Sequence, residues 1–62
     1  MAVFENISHY AEKRNVSIAE LEKRSGLGNG TIGKWKNSKP SLNALEKVAK
    51  ELSVKVSTLL KE

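Results

Sequence analysis

Residues 26–35 read GLGNGTIGKW, and all four glycines of the chain, Gly26, Gly28, Gly30 and Gly33, fall inside this stretch. Glycine weakens helices and strands alike, so such a concentration needs a cause. A phosphate-cradling loop, a flexible linker and a backbone that must approach another surface closely are the three candidates. A dinucleotide loop requires a strand before its glycines and a helix after them. Here the preceding residues signal a helix instead. Ser17-Ile18-Ala19-Glu20 is a capping box, whose serine and glutamate satisfy orphan amide donors reciprocally. The chain holds no Gly-Lys-Ser/Thr tripeptide, so the P-loop spacing fails as well. A linker is excluded by Leu27, Ile32 and Trp35, which interrupt the glycines with side chains that favour burial.

Close approach remains, and a helical projection at about 100° per residue supports it. On a helix from Asn29 to Lys36, Ile32 and Trp35 form an apolar face. Gly30 and Gly33 lie opposite, with Lys34 on one flank and Asn29 on the other. Two glycines inside a helix would cost on the order of 2 kcal/mol relative to alanine. The expected return is a bare face that lets the helix axis sit against a surface while lysine and asparagine reach phosphates or base edges.

The rest of the chain reads as helix. Phe4, Ile7, Tyr10 and Ala11 recur at three- and four-residue spacing before Asn15 ends the pattern. The helix opened by Ser17 runs to about Ser25, and Gly26 ends it in the left-handed conformation. The Asn29 segment closes in a Lys/Asn/Ser run before Pro40, and Ser41 is placed to cap a helix whose inward face is Leu42, Leu45, Val48, Ala49 and Leu52. Val54 plugs the core, and Val56, Leu59 and Leu60 mark a short last helix. The expectation is one domain over residues 1–62, all-α, with five short helices around one core.

Charge singles out the same middle region. Of a net +4, residues 1–22 contribute −2 and residues 42–62 contribute +1, whereas Lys23, Arg24, Lys34, Lys36 and Lys39 stand in residues 23–41 without an acid. A basic patch of this kind suits a polyanion. There is no cysteine, so disulfides, thiolate chemistry and Cys-based zinc are excluded. No apolar run reaches the ~18 residues of a membrane span, and no signal-peptide pattern opens the chain, so a cytoplasmic location is expected. His9, the single histidine, lacks metal-binding companions and reads as a surface residue. No serine has a base and an orienting acid beside it, so no catalytic residue, cofactor, metal or small-molecule ligand is expected.

The order of these signals resembles the phage repressor and Cro-like helix-turn-helix family, with its compact, lambda-repressor-like five-helix bundle. Ser17–Glu20, Gly26-Leu27 and Thr31-Ile32-x-x-Trp35 are similar to its two motif helices, and KPSLNALEKVAKELSV is similar to the loop and helix that follow. Val56-Ser57-Thr58-Leu59-Leu60 is similar to its closing helix, so the likeness covers nearly all of residues 3–60.

The resemblance implies a sequence-specific DNA-binding regulator, a repressor with no enzymatic activity, acting on double-stranded DNA as a homodimer on a palindromic operator. It places base reading on Gly28, Asn29, Gly30, Gly33 and Lys34. Asn29 fits an adenine edge, a phosphate or a helix cap; Lys34 fits guanine or a phosphate. Phosphate contacts fall to Ser17 and Ile18, Thr31, and the loop Lys36, Asn37, Ser38 and Lys39. Dimerisation is expected around Val54, Val56, Leu59 and Leu60, residues that fit the core as well as a pairing surface.

Three positions depart from the family pattern. Ile18 stands where glutamine is common, Lys55 where serine caps the last helix, and Glu22 where a small residue is usual. Glu22 must therefore point outward or crowd the helix crossing. The competing reading is a protein-interaction module, such as an antitoxin or anti-repressor, that keeps the fold without specific DNA binding. The basic middle third opposes it.

Overall fold

A computed structural model describes residues 3–61; of the expected span, residues 1, 2 and 62 lie outside it. The first helix, α1, spans Val3–Lys13 and occupies the middle of the molecule, packing against every other helical element. Its buried stripe is Val3, Ile7 and Ala11. Phe4 and Tyr10 lie about 60° to either side of that stripe and are accordingly only half-buried.

Helix α2 covers Ile18–Arg24, α3 covers Leu42–Leu52 and α4 covers Val56–Leu59. The Ser17 hydroxyl accepts from Glu20 N at 3.1 Å, and the Ser41 hydroxyl accepts from Ala44 N at 3.2 Å. Each such cap contributes about 1 kcal/mol. The reciprocal half of the Ser17 box does not form, because the Glu20 carboxylate accepts from Arg24 Nε one turn on, at 3.1 Å. Lys55 opens α4 in extended backbone without any side-chain cap.

The three longer helices all end in one way. Asn15, Gly26 and Ser53 adopt positive φ of 57°, 72° and 57°. The following residues, Val16, Leu27 and Val54, donate their amides to Ala11 O, Glu22 O and Ala49 O at 2.9, 2.8 and 3.0 Å. This is the Schellman closure, in which a left-handed residue turns the chain back and a hydrophobic residue after it folds onto the helix. All three of those hydrophobic residues pack against the core. Gly26 thus does what its position predicted.

The expected five-helix count is corrected. The described residues contain four α-helices and, in place of a fifth, a single turn of 3-10 helix, Gly33–Lys36. Gly30 is the reason no helix begins at Asn29: its φ of +86° is incompatible with helical continuation. The helical-glycine cost anticipated for Gly30 therefore does not arise. The turn mixes a Lys34 N to Gly30 O bond of 3.2 Å with a Trp35 N to Ile32 O bond of 3.0 Å, typical of a short helical end.

The core comprises Val3, Ile7, Ala11, Leu21, Ile32, Trp35, Leu45, Val48, Ala49, Leu52 and Leu59. Two expectations fail against it. Leu42 is 64% exposed, not inward: it is the first residue of α3 and sits at the edge of the stripe whose centre is Leu45, Val48, Ala49 and Leu52. Leu59 is completely buried and so offers nothing to a second copy, while Leu60 remains 40% exposed. A long-range tie also closes the fold: Asn6 Nδ2 donates to Leu59 O at 2.9 Å and to Lys61 O, joining α1 to the end of α4.

Candidate nucleic-acid interface

The glycine segment leaves α2 at Gly26, passes through turns at 29–32 and enters the 3-10 turn. Its two faces are sharply divided. Ile32 is 0% and Trp35 8% exposed, so the apolar pair points into the core as the periodicity predicts. Gly28, Asn29, Gly30 and Lys34 are exposed, and Gly33 is half-buried. A Cβ at Gly30 or Gly33 would meet no atom within 4 Å, so this backbone faces open space. At Gly28 a Cβ would lie 3.3 Å from Thr31 Oγ1, within the segment itself. The expected division of faces survives although the expected helix does not.

Glu22 is what holds this backbone. It is 4% exposed and turned inward, against the expectation that it would point away or crowd the crossing. Its Oε1 accepts from Gly30 N at 3.1 Å and its Oε2 accepts from Ile32 N at 2.8 Å. A buried carboxylate without partners is strongly unfavourable, whereas charge-assisted bonds to amides contribute about 1.5–3 kcal/mol each. The carboxylate thus fits because the glycine loop offers it donors. A small side chain at this position would leave both amides unpaired. Sequence reasoning missed this role; the signal available was an acid four residues before the first glycine of the run, at a position where the family usually has a small side chain. Nothing local could have pointed to Asn6, whose partners lie more than fifty residues away.

Six of the seven residues expected to hold phosphates, all but Thr31, fall into two clusters. Lys36, Asn37, Ser38 and Lys39 are all exposed and line one cleft together with Val3, Trp35 and Pro40. Ser17 and Ile18 border a different depression, beside the end of α1. Local bonding sorts their capacities. Ser17 Oγ accepts from an amide, so its own hydrogen stays available to donate to a phosphate. Ser38 Oγ already donates to Lys34 O at 3.0 Å and keeps only acceptor capacity while that bond lasts. Ile18 is half-buried against the core and has only its backbone to offer. Thr31 is half-buried beside Gly28. Lys36 lies over the Phe4 ring, its Nζ 4.9 Å from the centroid, a cation–π contact that presets the side chain while leaving it exposed. Asn29 borders a third depression, with Ala19, Glu22, Lys23 and Leu27.

Two short helical pieces joined through a left-handed glycine, the second with its apolar side anchored and its bare side outward, define a helix-turn-helix unit. The chain belongs to the Cro/C1-type helix-turn-helix DNA-binding domains, a family whose description matches residues 6–61. Its structure is similar to that of the N-terminal DNA-binding domain of SinR from Bacillus subtilis, at 30% identity across 97% of this chain and 91% of that one, with a TM-score of 0.88. A crystal structure of SinR, a master regulator for biofilm formation, in complex with DNA is 31% identical over 95% of this chain and 98% of that one, with a TM-score of 0.86. A solution structure of the same SinR domain gives 32% identity, 95% and 90% coverage and a TM-score of 0.80. No curated protein matches the chain. Among the described residues, no helix is long and apolar enough to cross a membrane.

Proposed function

We propose that this domain is a transcriptional repressor of the Cro type that reads a palindromic operator with residues 28–34 in the major groove. One observation carries the reading: an exposed edge of Gly28, Asn29, Gly30 and Lys34 is backed by the buried Ile32 and Trp35. Few side chains stand between that backbone and a groove, so Asn29 and Lys34 reach base edges from the flanks. Ser17, Lys36, Asn37 and Lys39 hold the phosphates on either side, with Thr31 and the Ile18 amide assisting, and Ser38 accepts at most a water-mediated contact. With so few base-reading side chains, DNA shape carries part of the discrimination. Two copies on a two-fold site set the segments one helical turn, about 34 Å, apart. With Leu59 committed to the core, the pairing surface consists of Leu60 and the half-buried Val54 and Val56.

Selection of bound duplexes from a random pool tests all of this together. Enrichment of an inverted repeat with half-sites about one turn apart is the expected result. Equal affinity for every duplex refutes sequence-specific repression, and binding that does not weaken with salt refutes the phosphate clamp.

A further inference from the structure

The recognition segment cannot support its own geometry. It is one 3-10 turn preceded by a left-handed glycine, and a helical piece of that length has no stability alone. Its conformation is imposed from outside. Ile32 and Trp35 fix how deep it sits, but apolar burial has no direction. Hydrogen bonds do have direction, and one planar group, the Glu22 carboxylate, accepts two of them from amides two residues apart. Glu22 itself stands on α2, which Ser17 caps at one end and Gly26 closes at the other.

We propose that Glu22 is a positioning residue for DNA recognition: its buried carboxylate sets the rotation of residues 30–32 about the segment axis, and so the angle at which Asn29, Thr31 and Lys34 meet the duplex. The inference rests on the DNA-binding reading above. It assigns to α2 the steering of the recognition segment, through one side chain that never touches DNA. Loss of the bond pair leaves Ile32 and Trp35 seated and Lys36 and Lys39, beyond the steered residues, in place. Non-specific binding, which comes from charge, therefore persists while discrimination falls.

Glu22→Gln keeps the size but presents one NH2 group toward an N–H donor, so only one of the two bonds can form. Glu22→Asp keeps the charge and shortens the reach by a methylene. Both are made in a Ser53→Gly background, which leaves a margin of stability, and compared with Ser53→Gly alone. Folding is followed by circular dichroism and by the amide resonances of Gly30 and Ile32. Affinity is measured by fluorescence anisotropy for the selected duplex and for a scrambled one at several salt concentrations. The expected result is a displacement of the two amide resonances and at least a tenfold loss on the selected duplex. Affinity and salt slope on the scrambled duplex should stay unchanged. A folded variant with displaced resonances and an unaltered ratio between the duplexes overturns the proposal. So does a parallel loss on both duplexes that follows the unfolded fraction, or failure of both variants to fold, since either marks a purely structural role. If the parent itself prefers no duplex, the DNA-reading proposal falls and takes this one with it; a selective parent with equally selective variants sinks this one alone.

Discussion

Alanine at Gly30 and at Gly33 should shift stability in opposite directions and DNA affinity in the same direction. At both positions a Cβ would enter open space, so neither change introduces a clash. At Gly30 the effect is therefore conformational. Its φ of +86° lies where an L-residue is strained, at about 1–2 kcal/mol. The lower backbone entropy of alanine in the unfolded chain offsets about 0.4–1 kcal/mol of this. The net loss is about 1 kcal/mol. Gly33 has no positive φ and begins the 3-10 turn, so alanine is the better residue there. A gain of about 0.5 kcal/mol follows, the low end of the glycine-to-alanine difference. For a domain of this size 1 kcal/mol corresponds to about 4–8 °C. Thermal unfolding followed at 222 nm should thus show Gly30→Ala lowering Tm by about 5 °C and Gly33→Ala raising it by about 2–3 °C. On the selected duplex both should bind at least tenfold more weakly, a loss of about 1.4 kcal/mol, because each methyl stands where the groove floor must come. A stabilised Gly33→Ala that binds as well as the parent would refute the close-approach reading. Equal destabilisation by the two substitutions would refute the conformational assignment.

Ser53→Gly relieves a left-handed non-glycine residue at the close of α3 and should stabilise by about 1 kcal/mol, visible as a higher midpoint in urea. Asn6→Ala removes both bonds to the end of α4 and should destabilise by about 1–2 kcal/mol. Its specific signature is faster amide hydrogen exchange in residues 56–60 than elsewhere. Lys36→Gln should weaken binding to every duplex alike and reduce the salt slope by about 1. Loss of its contact with Phe4 should cost at most about 1 kcal/mol of stability.

The parts of the fold that depend on near neighbours in the chain were legible beforehand. Ser17 and Ser41 cap helices because a hydroxyl reaches an amide three residues on, and Gly26 turns left-handed because the αL region is open to it. The inward setting of Ile32 and Trp35 followed from their spacing, and the same spacing left the glycine edge outside. It did so although the segment is a turn and not the expected helix, because the residues after Gly30 keep a helical twist even where too few bonds form to make an α-helix.

What the chain order alone could not supply are the choices made between distant groups. The periodicity of α3 admits Leu42 to its apolar face, but no neighbouring element covers that first turn, and the side chain stays in solvent. Leu59 reads as surplus apolar surface until α1 and α3 close over it. Glu22 is expected from the chain order to point outward or to crowd the crossing of the motif helices, and it does neither. A charge is buried only where donors await it, and those donors are amides of a loop whose path exists only once Ile32 and Trp35 have found the core. Residue order along residues 26–35 dictates which backbone is bare and which side chains anchor it. Tertiary structure decided how that backbone is held, because directional bonds across the fold depend on where chain segments meet and not on their order.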